Sequence, residues 1–123
     1  MPGPSIKSRN KGSTYERLLA QSYRALGFLD CVTARSESKR TDDKGIDLCF
    51  TKPFAVQAKC YKNFGIAQAI QTLKAMPDED DYRICHVKIS RKDQISDRKG
   101  SVVVILEEDW FELINMLKAN NII

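Results

Sequence analysis

The chain has 123 residues, 42% hydrophobic and 29% charged, with a formal net charge of +4. That is enough for one ordinary globular core and not for two, and no apolar run approaches the ~20 residues needed to span a bilayer. Charge is unevenly spread: residues 1–64 carry 12 Lys or Arg against 6 Asp or Glu, residues 65–123 carry 8 against 10, so a polyanionic partner would meet the first half.

In chain order, residues 1–11 lack the apolar stretch of a secretory signal and read as a flexible basic arm ahead of one domain, 12–123. A helix is expected from Ser13 to Leu26, with Tyr15, Leu18, Leu19, Ser22 and Leu26 near helical spacing and Gly27 as its stop. Ser13-Thr14-Tyr15-Glu16 also fits a capping box, in which Glu16 would reach back to the helix N-terminus. A first strand, about Phe28 to Ser36, leads into a polar loop over 37–44. Arg35, Ser36, Ser38, Lys39 and Arg40 make this region basic and rich in hydroxyls, suited to phosphate contacts or simply to water.

Residues 45–59 read as a tight hairpin. Ile46, Leu48, Cys49 and Phe50 form one apolar arm, Phe54, Ala55, Val56 and Ala58 the other, with Thr51-Lys52-Pro53 as the turn. Pairing Phe50 with Phe54 sets Asp47 opposite Gln57, and Lys59 shares the face of Gln57. Opposed Cβ atoms are roughly 5 Å apart, close enough for an acid and an amide oxygen to share one hard cation. The plainer reading is a wet face with an Asp47–Lys59 cross-strand ion pair. Tyr61 and Phe64, interleaved with Lys59 and Lys62, would stack on bases or pack against the next helix.

That helix, about Gly65 to Met76, has Ile66, Ala69, Ile70 and Leu73 as its apolar stripe, with Gln68 and Gln71 off it. Pro77 to Asp81 is an acidic connector. Strands follow at Arg83–Ser90 and Ser101–Leu106, joined through a charged tip. A last helix, Glu107 to Ala119, opens on three acids that suit its N-terminal dipole, and its apolar face is Trp110, Leu113, Ile114 and Leu117. Cys31, Cys49, Cys60 and Cys85 form no CxxC pair and fall in expected strands, as reduced thiols of an intracellular, reducing compartment do. The order αβββαββα is a mixed-sheet α/β domain.

Gly45-Ile46-Asp47 followed by Gln57-Ala58-Lys59 resembles the PD-(D/E)xK nuclease superfamily, with glutamine in place of the usual acid. Residues 11–19, from Lys11 to Leu19, resemble the first helix of archaeal-type Holliday junction resolvases, and QxK is also the variant of Mrr-like restriction endonucleases. The resemblance implies a restriction-endonuclease-like αβββαβ core, its mixed sheet flanked by helices, plus a C-terminal strand and helix. It implies a Mg²⁺-dependent endonuclease, Mn²⁺ substituting, that acts on branched DNA such as a four-way junction. Glu16, Asp47, Gln57 and the Ala58 carbonyl would hold the metal, and Lys59 would complete the catalytic set. Lys11, Arg35, Ser36, Ser38, Lys39, Arg40 and Lys62 would contact DNA. A homodimer would cut both strands, with strand five and the last helix at its interface, since the adjacent Trp110 and Phe111 cannot face one core. The alternatives are an Mrr-like enzyme cutting duplex DNA and an inactive nucleic-acid-binding module.

Overall fold

The computed structural model describes residues 6–37, 44–61, 65–89 and 100–123, the side chains of 6–11, 61 and 89 excepted. Helix α1 (Ile6–Ala25) is followed by β1 (Val32–Thr33), the single turn α2 (Ala34–Glu37), β2 (Leu48–Cys49) and β3 (Phe54–Tyr61). Then come α3 (Ile66–Ala75), β4 (Tyr82–Ile89), β5 (Val102–Ile105) and α4 (Glu107–Ala119). This is the expected order with α2 added. Strands β3 and β4 are parallel, with Gln57 beside Cys85, and β5 runs antiparallel to β4. The three make the mixed sheet of an α/β fold, while β1 and β2 form a separate antiparallel pair.

Side chains alternate across the sheet. Val56, Ala58 and Ile84 pack on Tyr15, Leu19, Ala20 and Tyr23 of α1. On the other face, Ala55, Cys85 and Val87 pack on Leu73 and Met76 at α3. Gln57 and Lys59 alternate onto this second face. No helix among the described residues is long and apolar enough to cross a membrane.

Four local expectations change. Helix α1 starts at Ile6, not Ser13, so residues 6–11 are helical and Ser13 lies inside the helix. Its backbone N–H groups are then bonded within the helix, and the capping box has no orphan donors to serve. The first strand shrinks to two residues because the chain leaves α1 through turns: Gly27 is left-handed at φ 109, Phe28 N donates to Tyr23 O and Cys31 N to Phe28 O. The hairpin is not a continuous ladder. Phe50, at φ 64, cannot extend a strand, so β2 stops at Cys49 and pairs with β1, while the expected turn is closed by Thr51 bonding Phe54. Finally, the apolar stripes are shifted. Leu26 and Ile66 are exposed, as are Trp110 and Phe111, and the buried residue at the start of α4 is Asp109.

Asp109 fastens α4 to the sheet. Its carboxylate accepts from the Arg83 backbone N–H at 3.1 Å and from the guanidinium at 3.0 and 3.3 Å, both residues being buried, and Glu108 adds a bond at 3.1 Å. The bond to Asp109 holds the guanidinium above its ordinary range. Asp109→Ala removes the main partner of a buried cation, so stability measured by urea denaturation should fall by about 3 kcal/mol.

Candidate active site

Asp47 is held from three directions. Its backbone N–H donates to Val56 O on β3 at 2.8 Å, and its carbonyl accepts from Ala34 N of α2 at 2.7 Å. Its carboxylate Oδ2 accepts from the Ala58 N–H at 2.8 Å. An aspartate between Ile46 and Leu48 is poorly suited to a strand; here it ends the ladder, using its side chain where a backbone acceptor would otherwise sit. The result is a carboxylate 8% exposed, at the margin of β3.

Gln57 lies between this carboxylate and Lys59. One end of its amide faces Asp47 Oδ2 at 3.0 Å and the Gly45 carbonyl, and the other end is 3.1 Å from Lys59 Nζ. With the nitrogen turned to the two acceptors, all three contacts are hydrogen bonds. Asp47, Gln57, Ala58 and Lys59 are therefore together, as the spacing predicts, although the amide separates Asp47 from Lys59 where a direct ion pair was the plainer expectation. The Gly45 carbonyl was not anticipated. Gly45 sits at φ 78, a conformation that L side chains rarely adopt, and the sequence signal was the glycine two residues before the aspartate. Cys85, beside Gln57 in the sheet, was also missed: burial pushes its thiol up to about 11, so it is a neutral wall to the site.

Glu16 is 4% exposed and bound to Arg35 of α2, Nε to Oε2 at 2.9 Å and Nη2 to Oε1 at 3.2 Å. This fork links α1 to the same turn whose Ala34 bonds the Asp47 carbonyl. Arg35, expected at phosphate, is occupied by Glu16 on one side and half exposed on the other. Ser36 is exposed and bonds back to the Thr33 carbonyl at 2.9 Å. Gln68 and Gln71 are exposed on α3. Ser38, Lys39, Arg40, Lys62, Phe64 and the side chains of Lys11 and Tyr61 lie outside the described residues. A neighbouring cavity of about 500 Å³, bordered by Ile46 and Leu48, is lined by charges of both signs, Glu37, Glu79 and Asp81 with Lys44 and Lys52.

Among the described residues no three His, Cys, Asp or Glu side chains cluster as a metal site. The donors present are hard oxygens of low total charge: the Asp47 carboxylate, the Gln57 amide and the Gly45 and Ala58 carbonyls. Mg²⁺ fits such a set, since it binds through one or two carboxylates, keeps several waters and takes the rest from substrate phosphates.

A family model described as restriction endonuclease, of Mrr catalytic type, matches residues 8–92, from α1 past the end of β4. No curated protein and no solved structure matches the chain.

The Glu16–Arg35 fork generates a stability test. Arg35→Ala should lower stability by about 1.5–3 kcal/mol, the range for a hydrogen bond to a charged group. Adding Glu16→Gln should recover part of that loss, because the buried carboxylate is then no longer unpaired. Denaturant melts of the two single variants and the double variant give the coupling, and strict additivity would show that the fork is energetically idle.

Proposed function

The chain belongs to the restriction endonuclease family, and on that basis we propose that it hydrolyses DNA phosphodiester bonds with Mg²⁺ held at Asp47. The observation that carries this reading is the buried Asp47 carboxylate beside Gln57, with Lys59 on the other end of the same amide. Asp47, Gln57 and the Ala58 carbonyl would hold the cation, with Glu16 reaching it through water. When bound, the cation supplies Lewis-acid polarisation of the phosphate and a more acidic water.

The remaining chemistry belongs to the chain. The Ala58 N–H fixes the Asp47 carboxylate so that it need not reorganise during the reaction. Lys59, a compact cationic donor, orients the attacking water and stabilises the charge that builds on the phosphorane. Cys85 and Val87, buried beside Gln57 and Lys59 on β4, keep water from that side of the site.

Of the two DNA substrates expected from sequence, the family match favours duplex, and the four-way junction becomes the competing arm of the test. A double-strand cut requires two active sites, hence a homodimer. Its interface would be β5 and α4, where Val102, Val103, Trp110 and Phe111 are all exposed and β5 is the last strand of its sheet among the described residues. The free cysteines Cys31, Cys49, Cys60 and Cys85 suit a reducing compartment.

Labelled duplex and four-way junction, each incubated with protein and Mg²⁺ or with chelator, test this reading. Magnesium-dependent cutting of duplex is expected. Paired nicks in the junction alone would make the protein a resolvase, and a band shift without cutting would make it a binding module. Asp47→Asn should abolish cleavage with fold and DNA binding retained. Lys59→Ala should slow the rate by about 10²–10³-fold while changing affinity far less. Parallel losses of rate and affinity would reduce Lys59 to a phosphate contact.

A further inference from the structure

The amide of Gln57 faces acceptors at one end, the Gly45 carbonyl and Asp47 Oδ2, and a donor at the other, Lys59 Nζ. A carboxamide has one donating and one accepting end, and a half turn about its last bond exchanges them. With nitrogen inward, it donates to Gly45 and Asp47 and accepts from Lys59. With oxygen inward, three oxygens converge and the amide nitrogen confronts an ammonium. That second arrangement is repulsive at both ends unless a cation sits among the oxygens and Lys59 moves away.

We propose that Gln57 is a two-position element that couples cation occupancy at Asp47 to the freedom of Lys59. This rests on the endonuclease reading above and adds to it the Gly45 carbonyl as a fourth oxygen and a reason for the glutamine. Without a cation, the nitrogen-inward amide ties Lys59 Nζ back and neutralises the approach to Asp47. With a divalent cation bound, Gln57 would turn its oxygen inward and Lys59 would be released toward the substrate phosphate.

Both Gln57 and Asp47 are more than nine-tenths buried, so water does not readily replace any of the three bonds. A glutamate at 57 could not perform this exchange. It has no donor for Gly45 or Asp47, and it would set a second negative charge against Asp47 whenever the cation is absent. Breaking three hydrogen bonds, two of them to charged groups, also opposes cation binding to the protein alone. The metal is therefore held weakly until a phosphate contributes its own charge and takes up Lys59.

The test is a Mg²⁺ titration of the wild-type protein followed by ¹H–¹⁵N spectra. The Gln57 carboxamide signals are identified by their loss in Gln57→Glu. The Ala58 backbone amide, bonded to Asp47 Oδ2, reports cation arrival at that carboxylate. In Mg²⁺-free buffer both Gln57 amide protons should be shifted downfield and slow to exchange. As the Ala58 signal moves with Mg²⁺, they should shift upfield and exchange faster. A moving Ala58 signal with a fixed Gln57 pair overturns the two-position element and leaves the endonuclease reading standing. No movement of either signal in excess Mg²⁺, with the titration repeated in the presence of a bound non-hydrolysable duplex, overturns both. Gln57→Glu should melt lower than wild type without metal and bind Mg²⁺ about tenfold more tightly in thermal-shift titrations. An equal or weaker affinity would also count against the proposal.

Discussion

The carboxylate of Asp47 accepting the Ala58 N–H is the contact on which the site depends. β2 and β3 are not laddered together, and the chain between them turns away at Phe50. The Asp47 segment is joined to β3 by a backbone bond to Val56, by this side-chain bond two residues on and by the Gln57 amide at Asp47 and Gly45. A side chain that satisfies a backbone donor is fixed as firmly as the strand that carries the donor. The acid is therefore positioned by the sheet, although its own segment is irregular. Gln57 and Lys59 need no such device, since strand alternation alone puts them on one face.

The sheet in turn is rigid because both of its faces are filled. Tyr15, Leu19 and Tyr23 cover one side, and Leu73 and Met76 the other. Buried polar groups then fix the peripheral pieces to this sandwich. Arg83 and Asp109 hold α4, and Glu16 with Arg35 ties α1 to the turn behind Asp47. Each of these ionic contacts is buried on at least one side, where an unpaired charge is expensive, so each specifies one arrangement of its elements more than it adds stability.

Much of this could be read from the sequence, for identifiable reasons. The last helix was legible to the residue because Glu107, Glu108 and Asp109 mark its start, and β4 because Cys85, Val87 and Ile89 alternate with polar residues after an acidic connector. Asp47, Gln57 and Lys59 were legible because strand period and turn position decide which side chains meet. The failures share another cause. The outcomes at Ser13, Phe50 and Trp110 are not encoded by the local patterns read there. Helix α1 continues backward past a plausible cap, Phe50 takes a backbone conformation that its residue type does not advertise, and the Arg83–Asp109 pair rotates α4 so that Trp110 faces out. Glu16 shows the limit most clearly. The capping-box reading fails because the helix begins upstream of Ser13, and the side chain is held by Arg35, nineteen residues away, which no local pattern indicates.

The central claim is that the oxygens around Asp47 form a cation site completed by DNA. Crystals grown with a non-hydrolysable duplex and Mn²⁺, measured by anomalous diffraction, test it most directly. The account predicts one strong peak bonded to the Asp47 carboxylate and to the oxygen of Gln57, with a phosphate oxygen in the same coordination shell. A peak bonded elsewhere, or bound DNA with no peak at Asp47, would contradict it.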